Sequence, residues 1–76
     1  MNYPIIEVEW VDATSTADWT NVKELEVHNC KTCGYLVSET SDFLGIASAV
    51  SGDQANAVIC VPKRWILKRK IIRKSS

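Results

Sequence analysis

Apolar and charged residues alternate near the start of this chain with the two-residue period of a β-strand. Ile6, Val8 and Trp10 alternate with Glu7 and Glu9. Because side chains in a strand point alternately to opposite faces, this pattern predicts a strand with one buried apolar face and one acidic face in solvent.

Three further strands are predicted downstream, each bounded by turn-forming residues. They span 33–37, 43–50 and 57–61, and polar turns at 38–42 and 51–56 separate them. Within the third strand, Gly45 indicates a bend or the close approach of another backbone.

Residues 12–29 form a predicted long, partly ordered loop between the first two strands. Small and turn-forming residues at 12–16 end the first strand. A short helical turn is predicted over 19–25, with Asn21 as its N-cap and Glu24 as the reciprocal partner. Because long loops in compact domains are often binding loops or disordered, this loop is the first place to look for function.

The segment around Pro62 predicts the architecture. The β-branched run at 58–61 favours a strand, which Pro62 ends because proline has no N–H for the strand ladder. A helical turn over 62–65 leads into a last strand at 66–72, whose alternating residues define no clean apolar face and leave its register open. A strand, a proline-led turn and a strand are typical of the end of Sm-like and Src-homology-3-like barrels. We therefore predict an all-β fold, a small five-stranded barrel of this kind with the long loop between strands 1 and 2.

The chain length of 76 residues predicts a single small-barrel domain spanning residues 1–76. A core of this size provides only a few kcal/mol of stability. We therefore expect self-association, which buries further apolar surface.

Three cysteines, an odd number, fit a reducing compartment better than a disulfide framework. The chain starts without the basic and apolar regions of a signal peptide. No apolar run approaches the roughly 20 residues of a membrane span. We expect a soluble, cytoplasmic protein that does not bind membranes.

Charge is unevenly divided along the chain, although the formal net charge is zero. All nine acidic residues and only two basic ones lie in 1–62, whereas the basic C-terminal end, 63–76, contains seven basic residues and no acid. This asymmetry indicates either an acidic partner or head-to-tail pairing between copies. The alternative is a solvated edge strand protected from aggregation by its cations, and both explanations stay open.

Cys30 and Cys33 form the one pattern that resembles metal or redox chemistry. Two thiolates at this spacing can share a zinc ion, with His28 and Cys60 as further ligands. Zinc modules usually contain two such pairs, and a redox thiol usually lies at a helix N-terminus rather than in a strand. The pattern therefore favours packing of small apolar side chains, and we predict no metal ligand.

The sequence contains no recognisable catalytic constellation. His28 is the only histidine, and the three glycines are too scattered for a phosphate-binding loop. We predict a non-enzymatic protein with no catalytic residues and no cofactor.

Two of the three tryptophans are candidates for binding. Trp10 follows the apolar alternation and belongs to the predicted core. Trp19 lies in the polar loop, and Trp65 follows Lys63 and Arg64. An exposed indole beside cations can stack on a nucleic-acid base or on an apolar side chain of a partner. The alternative is that Trp19 and Trp65 cover the open ends of the barrel.

Several short motifs together resemble a family of short accessory proteins encoded by tailed bacteriophages and prophages. They are Trp10-x-Asp12-Ala13 with Trp19, Cys30, Gly34-Tyr35-Leu36-Val37, and Val61-Pro62-Lys63 with Ile66. The resemblance covers about residues 8–72 and implies a small Sm-like or Src-homology-3-like barrel. It also implies a bacterial host cytoplasm and a role either in taking over the host or in blocking its defences. The chain differs from the family in Cys33 and in its basic end.

These observations predict a homo-oligomeric protein that binds a phosphate-bearing ligand, either a nucleotide signal or a nucleic acid. Basic side chains would hold the phosphates, an indole would stack on a base, and loop residues would add polar contacts. The predicted ligand-binding residues are Asp12, Thr14, Ser15, Trp19, Lys63, Arg64, Trp65 and Lys68. The alternative is a protein-interaction module that inhibits a host enzyme through Trp19, Trp65 and the basic C-terminal end.

Overall fold

The structure, a computed structural model, describes residues 2–12 and 28–75, except for the side chains of Asp12 and His28. Its five strands form one antiparallel sheet in the order β4-β3-β2-β1-β5. The strands are β1 (Ile5–Asp12), β2 (His28–Glu39), β3 (Phe43–Ser51), β4 (Gln54–Pro62) and β5 (Ile66–Arg73). A 3₁₀ turn, Lys63–Trp65, connects β4 to β5. The predicted all-β class with five strands is confirmed.

The alternation in β1 produces the core as predicted. Ile6, Val8 and Trp10 are buried, with exposed fractions of 1%, 0% and 8%. Glu7 and Glu9 lie on the opposite face and are half-buried. The remaining core comes from the other end of the sheet, where buried side chains of β3 and β4 pack against β1: Leu44, Ile46 and Val61.

The strand β2 divides its pairing between two neighbours, and a register shift in its second half bends the strand. Residues 28–35 pair with β1, whereas residues 35–39 pair with β3 across a register shift. Gly34 lies at this corner, where a Cβ would stand only 2.5 Å from the carbonyl oxygen of Ala47. Gly45, the glycine noted in the sequence analysis, is also tightly packed. A Cβ at this position would lie 3.1 Å from Ser38 Cβ.

The start of β2 was predicted wrongly. The strand begins at His28 rather than at 33, so residues 28 and 29 do not belong to the loop. Cross-strand pairs such as Trp10 with Cys30 and Val8 with Thr32 extend the strand through a polar segment. Likewise, the turn predicted at 51–56 is limited to Gly52 and its neighbour, because both strands of this hairpin continue almost to its tip. The helical turn predicted over 19–25 lies outside the described residues.

Both edge strands, β4 and β5, are exposed to an unusual degree. Every residue from 51 to 60 and from 67 to 75 is exposed. Within the described residues, all large exposed apolar side chains belong to β4, the 3₁₀ turn or β5: Val58, Ile59, Trp65, Leu67, Ile71 and Ile72. Among the residues that the structure describes, no helix has the length and apolar character needed to cross a membrane.

Candidate functional site

The 3₁₀ turn between β4 and β5 places Trp65 at the surface. Pro62 is extended, with φ −60°, and ends β4 where the turn begins. The N–H of Lys63 donates to the carbonyl oxygen of Asp42 at 2.8 Å, which ties the turn to the β2–β3 connection. The N–H of Ile66 donates to the carbonyl oxygen of Lys63 and closes the turn.

Trp65 stacks on Trp10 of the core. Their ring centroids are 6.5 Å apart and their planes differ by 13°, an offset parallel arrangement that aromatic pairs favour. Trp10 is held in turn by its Nε1–H, which donates to Thr32 Oγ1 at 2.9 Å. Trp65 nevertheless remains 37% exposed. The buried indole therefore orients an exposed one.

An open cleft of about 330 Å³ lies beside Trp65 and is the candidate site. Its lining consists of Asp42, Phe43, Pro62, Arg64 and Trp65. Two aromatic rings and a proline provide apolar surface, and one acid and one cation provide opposite charges. The volume is at the lower end of the range for small-molecule sites.

Glu39 organises two of the neighbouring cations. Its carboxylate accepts two hydrogen bonds from the Arg69 guanidinium, at 3.1 and 3.3 Å, and lies 2.8 Å from Lys63 Nζ. The hydrogen bonds from Arg69, and then that from Lys63, lower the pKa of Glu39 to about 2. Lys63 and Arg69 are thus held by an acid, whereas Arg64 is exposed and forms no ion pair with any residue in the described ranges.

The structure brings together only part of the predicted binding set. Lys63, Arg64 and Trp65 are consecutive in the 3₁₀ turn. Lys68 is opposite Glu9, on the face of β5 away from the core, and lines a separate charged depression of about 140 Å³. The remaining predicted residues, Thr14, Ser15, Trp19 and the side chain of Asp12, lie outside the described part of the chain.

Sequence reasoning missed three residues that line the cleft, Asp42, Phe43 and Pro62. Asp42 and Phe43 join it because Phe43 pairs with Pro62 across β3 and β4. No local signal links residues that are about twenty positions apart in the sequence. Only the proline that ends β4 suggested this corner of the molecule.

The cysteines do not form the arrangement that a shared zinc ion needs. Cys30 is opposite Trp10 and Cys33 is opposite Glu7, so their side chains point to opposite faces of β2. Across the two described ranges, no cluster of three or more histidine, cysteine or acidic side chains could hold a metal. The packing interpretation holds for Cys30, which contacts the core, but is wrong for Cys33, which is exposed, and Cys60 is exposed as well. Cys33 shares the outer face with Glu7, and Cys60 lies on an edge strand.

No protein-family model, curated protein or solved structure matches this chain.

Proposed function

We propose that this protein is a non-enzymatic, homo-oligomeric binding protein that holds a phosphate-bearing ligand in the cleft beside Trp65. The ligand is a nucleotide signal or a nucleic acid, and the setting is the cytoplasm of a bacterium infected by a phage that counters host defences. The observation that carries the proposal is an exposed indole, already oriented by Trp10, next to an exposed guanidinium.

The two sides of the cleft suit different parts of a nucleotide. Stacking of a base on an aromatic ring contributes about 1–3 kcal/mol. Arg64 can donate paired hydrogen bonds to a phosphate, and Lys63 and Arg69, which share the carboxylate of Glu39, leave one net positive charge beside the turn. The Asp42 carboxylate would repel a phosphate but can accept hydrogen bonds from the amino group of a base. The base is therefore assigned to the side of Asp42, and the phosphate to the side of Arg64.

A small Sm-like or Src-homology-3-like barrel is the finer fold that we propose. The strand order, the bend in β2 and the 3₁₀ turn before the last strand support it. The contact between Glu39 at the end of β2 and Arg69 on β5 supports it as well, because β1 separates these strands in the sheet.

Native mass spectrometry of the protein purified from phage-infected bacteria tests the proposal. We expect a retained nucleotide that heating releases, or, for a nucleic-acid ligand, binding of a labelled single-stranded oligonucleotide. In the second case the affinity should fall steeply between about 50 and 200 mM salt because phosphate contacts release counterions. Protein that retains no nucleotide and does not bind the oligonucleotide at low salt would refute it.

A second candidate function is inhibition of a host enzyme through Trp19, Trp65 and the basic C-terminal end. The exposed Leu67, Ile71 and Ile72 are interspersed with cations on β5, and such a surface fits an apolar patch with an acidic rim. Capture of one host protein in stoichiometric amounts, without a bound nucleotide, would favour this function.

A further inference from the structure

We propose that the cleft beside Trp65 selects guanine among the nucleic-acid bases, and that Asp42 is the residue that determines this selectivity. The inference rests on the proposed function, because it names the base of the ligand assigned to this cleft. Three properties lead to it: the fixed backbone of Asp42, the unused acceptors of its carboxylate, and the donor pattern of each base.

The backbone of Asp42 is fixed from two directions. Its N–H donates to Thr40 Oγ1 at 3.1 Å, and its carbonyl oxygen accepts the N–H of Lys63 at 2.8 Å. The Phe43 N–H donates to the same hydroxyl oxygen at 3.1 Å, and the Thr40 N–H donates to the carbonyl oxygen of Phe43 at 2.9 Å. The turn at 40–43 is therefore joined to the 3₁₀ turn that carries Trp65, and the two walls of the cleft are held together.

The carboxylate of Asp42 keeps its hydrogen-bonding capacity for a ligand. Asp42 is exposed, and its carboxylate forms no hydrogen bond or ion pair with any residue that the structure describes. Glu39 differs, because Lys63 and Arg69 occupy its carboxylate. An ionised carboxylate only accepts, and its two oxygens can receive a pair of parallel hydrogen bonds. The cleft therefore offers two adjacent acceptors beside the exposed indole of Trp65.

The bases differ in how many donors they offer to such a pair of acceptors. Guanine carries the N1–H and the N2 amino group side by side on its Watson–Crick edge, so both carboxylate oxygens receive a hydrogen bond. Adenine and cytosine have one amino group beside a ring nitrogen whose lone pair the carboxylate repels. Uracil and thymine have one N–H between two carbonyl oxygens, which the carboxylate repels as well. Guanine is therefore the only one of these bases that satisfies both oxygens without repulsion.

Stacking by itself would not produce this selectivity. Every base has a π-face, so stacking on Trp65 contributes affinity with little dependence on the base. A hydrogen bond to a charged group is stronger than one between neutral groups, and its loss lowers affinity about tenfold or more. The indole therefore supplies affinity, whereas the carboxylate of Asp42 discriminates between bases.

Titration with three mononucleotides tests the inference on the parent protein. Guanosine, inosine and adenosine monophosphate share the sugar and the phosphate, and the inosine compound lacks only the N2 amino group of guanine. We expect guanosine monophosphate to bind about tenfold or more tightly than adenosine monophosphate, with inosine monophosphate in between. Labelled thymine-rich oligonucleotides with one central guanine, hypoxanthine or adenine give the same comparison for a nucleic-acid ligand.

An amide at position 42 tests the residue itself. In Asp42→Asn the side chain offers one acceptor and one donor, which match the amino group and the N1 acceptor of adenine. We expect this variant to lose the guanine preference and to bind adenosine monophosphate at least as tightly as guanosine monophosphate. Asp53→Asn makes the same chemical change at the exposed tip of the β3–β4 hairpin, outside the cleft, and should keep the preference. Circular dichroism confirms that both variants are folded.

The outcomes distinguish this inference from the proposed function. A guanine preference in the parent protein and in Asp53→Asn, lost in Asp42→Asn, supports it. Equal affinities for the three bases, or a preference for another base, would overturn the selectivity and leave the ligand site in place. A guanine preference that survives in Asp42→Asn would overturn the role of Asp42. Failure of every probe to bind would refute the proposed function and this inference with it.

Discussion

Glu39, the last residue of β2, forms a bidentate ion pair with Arg69 of β5, although β1 lies between these strands in the sheet. Lys63 of the 3₁₀ turn contacts the same carboxylate. One acid thus connects the bent end of β2 to the two segments on either side of Trp65.

Replacing Glu39 with glutamine should lower the free energy of unfolding by about 0.5–1 kcal/mol. The value is modest because the carboxylate is 38% exposed and water screens the pair. Urea denaturation measures the change. Asp53→Asn, in the exposed tip of the β3–β4 hairpin, is the matched control and should have almost no effect. Equal losses for the two variants would contradict a stabilising role for Glu39.

The contribution of Glu39 should also depend on pH. Its pKa is about 2 in the folded protein and 4.5 without these partners, so the folded state favours the ionised form. The resulting stability is complete above about pH 4.5 and is lost as the pH falls towards 2. The stability difference between the parent protein and Glu39→Gln should therefore be constant from pH 6 to 7 and shrink in acid. The other carboxylates titrate in both proteins, so their effects on stability cancel in this difference. A difference that persists at pH 2 would contradict the assignment.

Replacing Trp65 with alanine should weaken ligand binding by between about fivefold and about 150-fold, the range expected for loss of one stacked base. Trp65→Phe keeps an aromatic ring on Trp10 and should retain most of the affinity. Titration with the labelled single-stranded oligonucleotide, or with the nucleotide released from the native protein, measures both variants. If Trp65→Ala binds as well as the parent, the indole does not contact the ligand.

Replacing Arg64 with glutamine should weaken binding about tenfold or more, because a charge-assisted hydrogen bond to phosphate is lost. Arg73→Gln removes the same charge at the far end of β5, about 25 Å along the chain from the cleft at strand geometry. That variant should have only a small effect, which high salt removes. Similar losses for both variants would indicate a diffuse electrostatic surface rather than a site.

Replacing Gly34 with alanine should destabilise the protein by at least about 2 kcal/mol, because the new methyl group would stand 2.5 Å from a backbone oxygen that cannot move without separating β2 from β3. Gly52→Ala is the control. Its Cβ would meet nothing within 4 Å, and only the left-handed backbone, φ +60°, opposes it, at about 1 kcal/mol. In thermal unfolding, Gly34→Ala should have a lower midpoint temperature than Gly52→Ala. The reverse order would refute the close packing at Gly34.

Two features of the fold could be predicted from the sequence because they depend on neighbouring residues. The alternation of Ile6, Val8 and Trp10 with acids identifies a strand with one buried face, since side-chain direction repeats every two residues. Pro62 predicts the end of β4 and the turn that carries Trp65, since proline restricts the backbone wherever it occurs.

Only the tertiary structure decided the surroundings of β5, Glu39 and the cleft. Two register shifts between β1 and β5 interrupt the alternation, which explains why β5 shows no clean apolar face. Lys68 lies opposite Glu9 in this register, whereas Arg64 belongs to the 3₁₀ turn. Glu39 meets Arg69 across the intervening strand β1, and Phe43 meets Pro62 because β3 and β4 pair as a hairpin. Register and curvature arise from pairing between strands, and a single strand's sequence does not contain them.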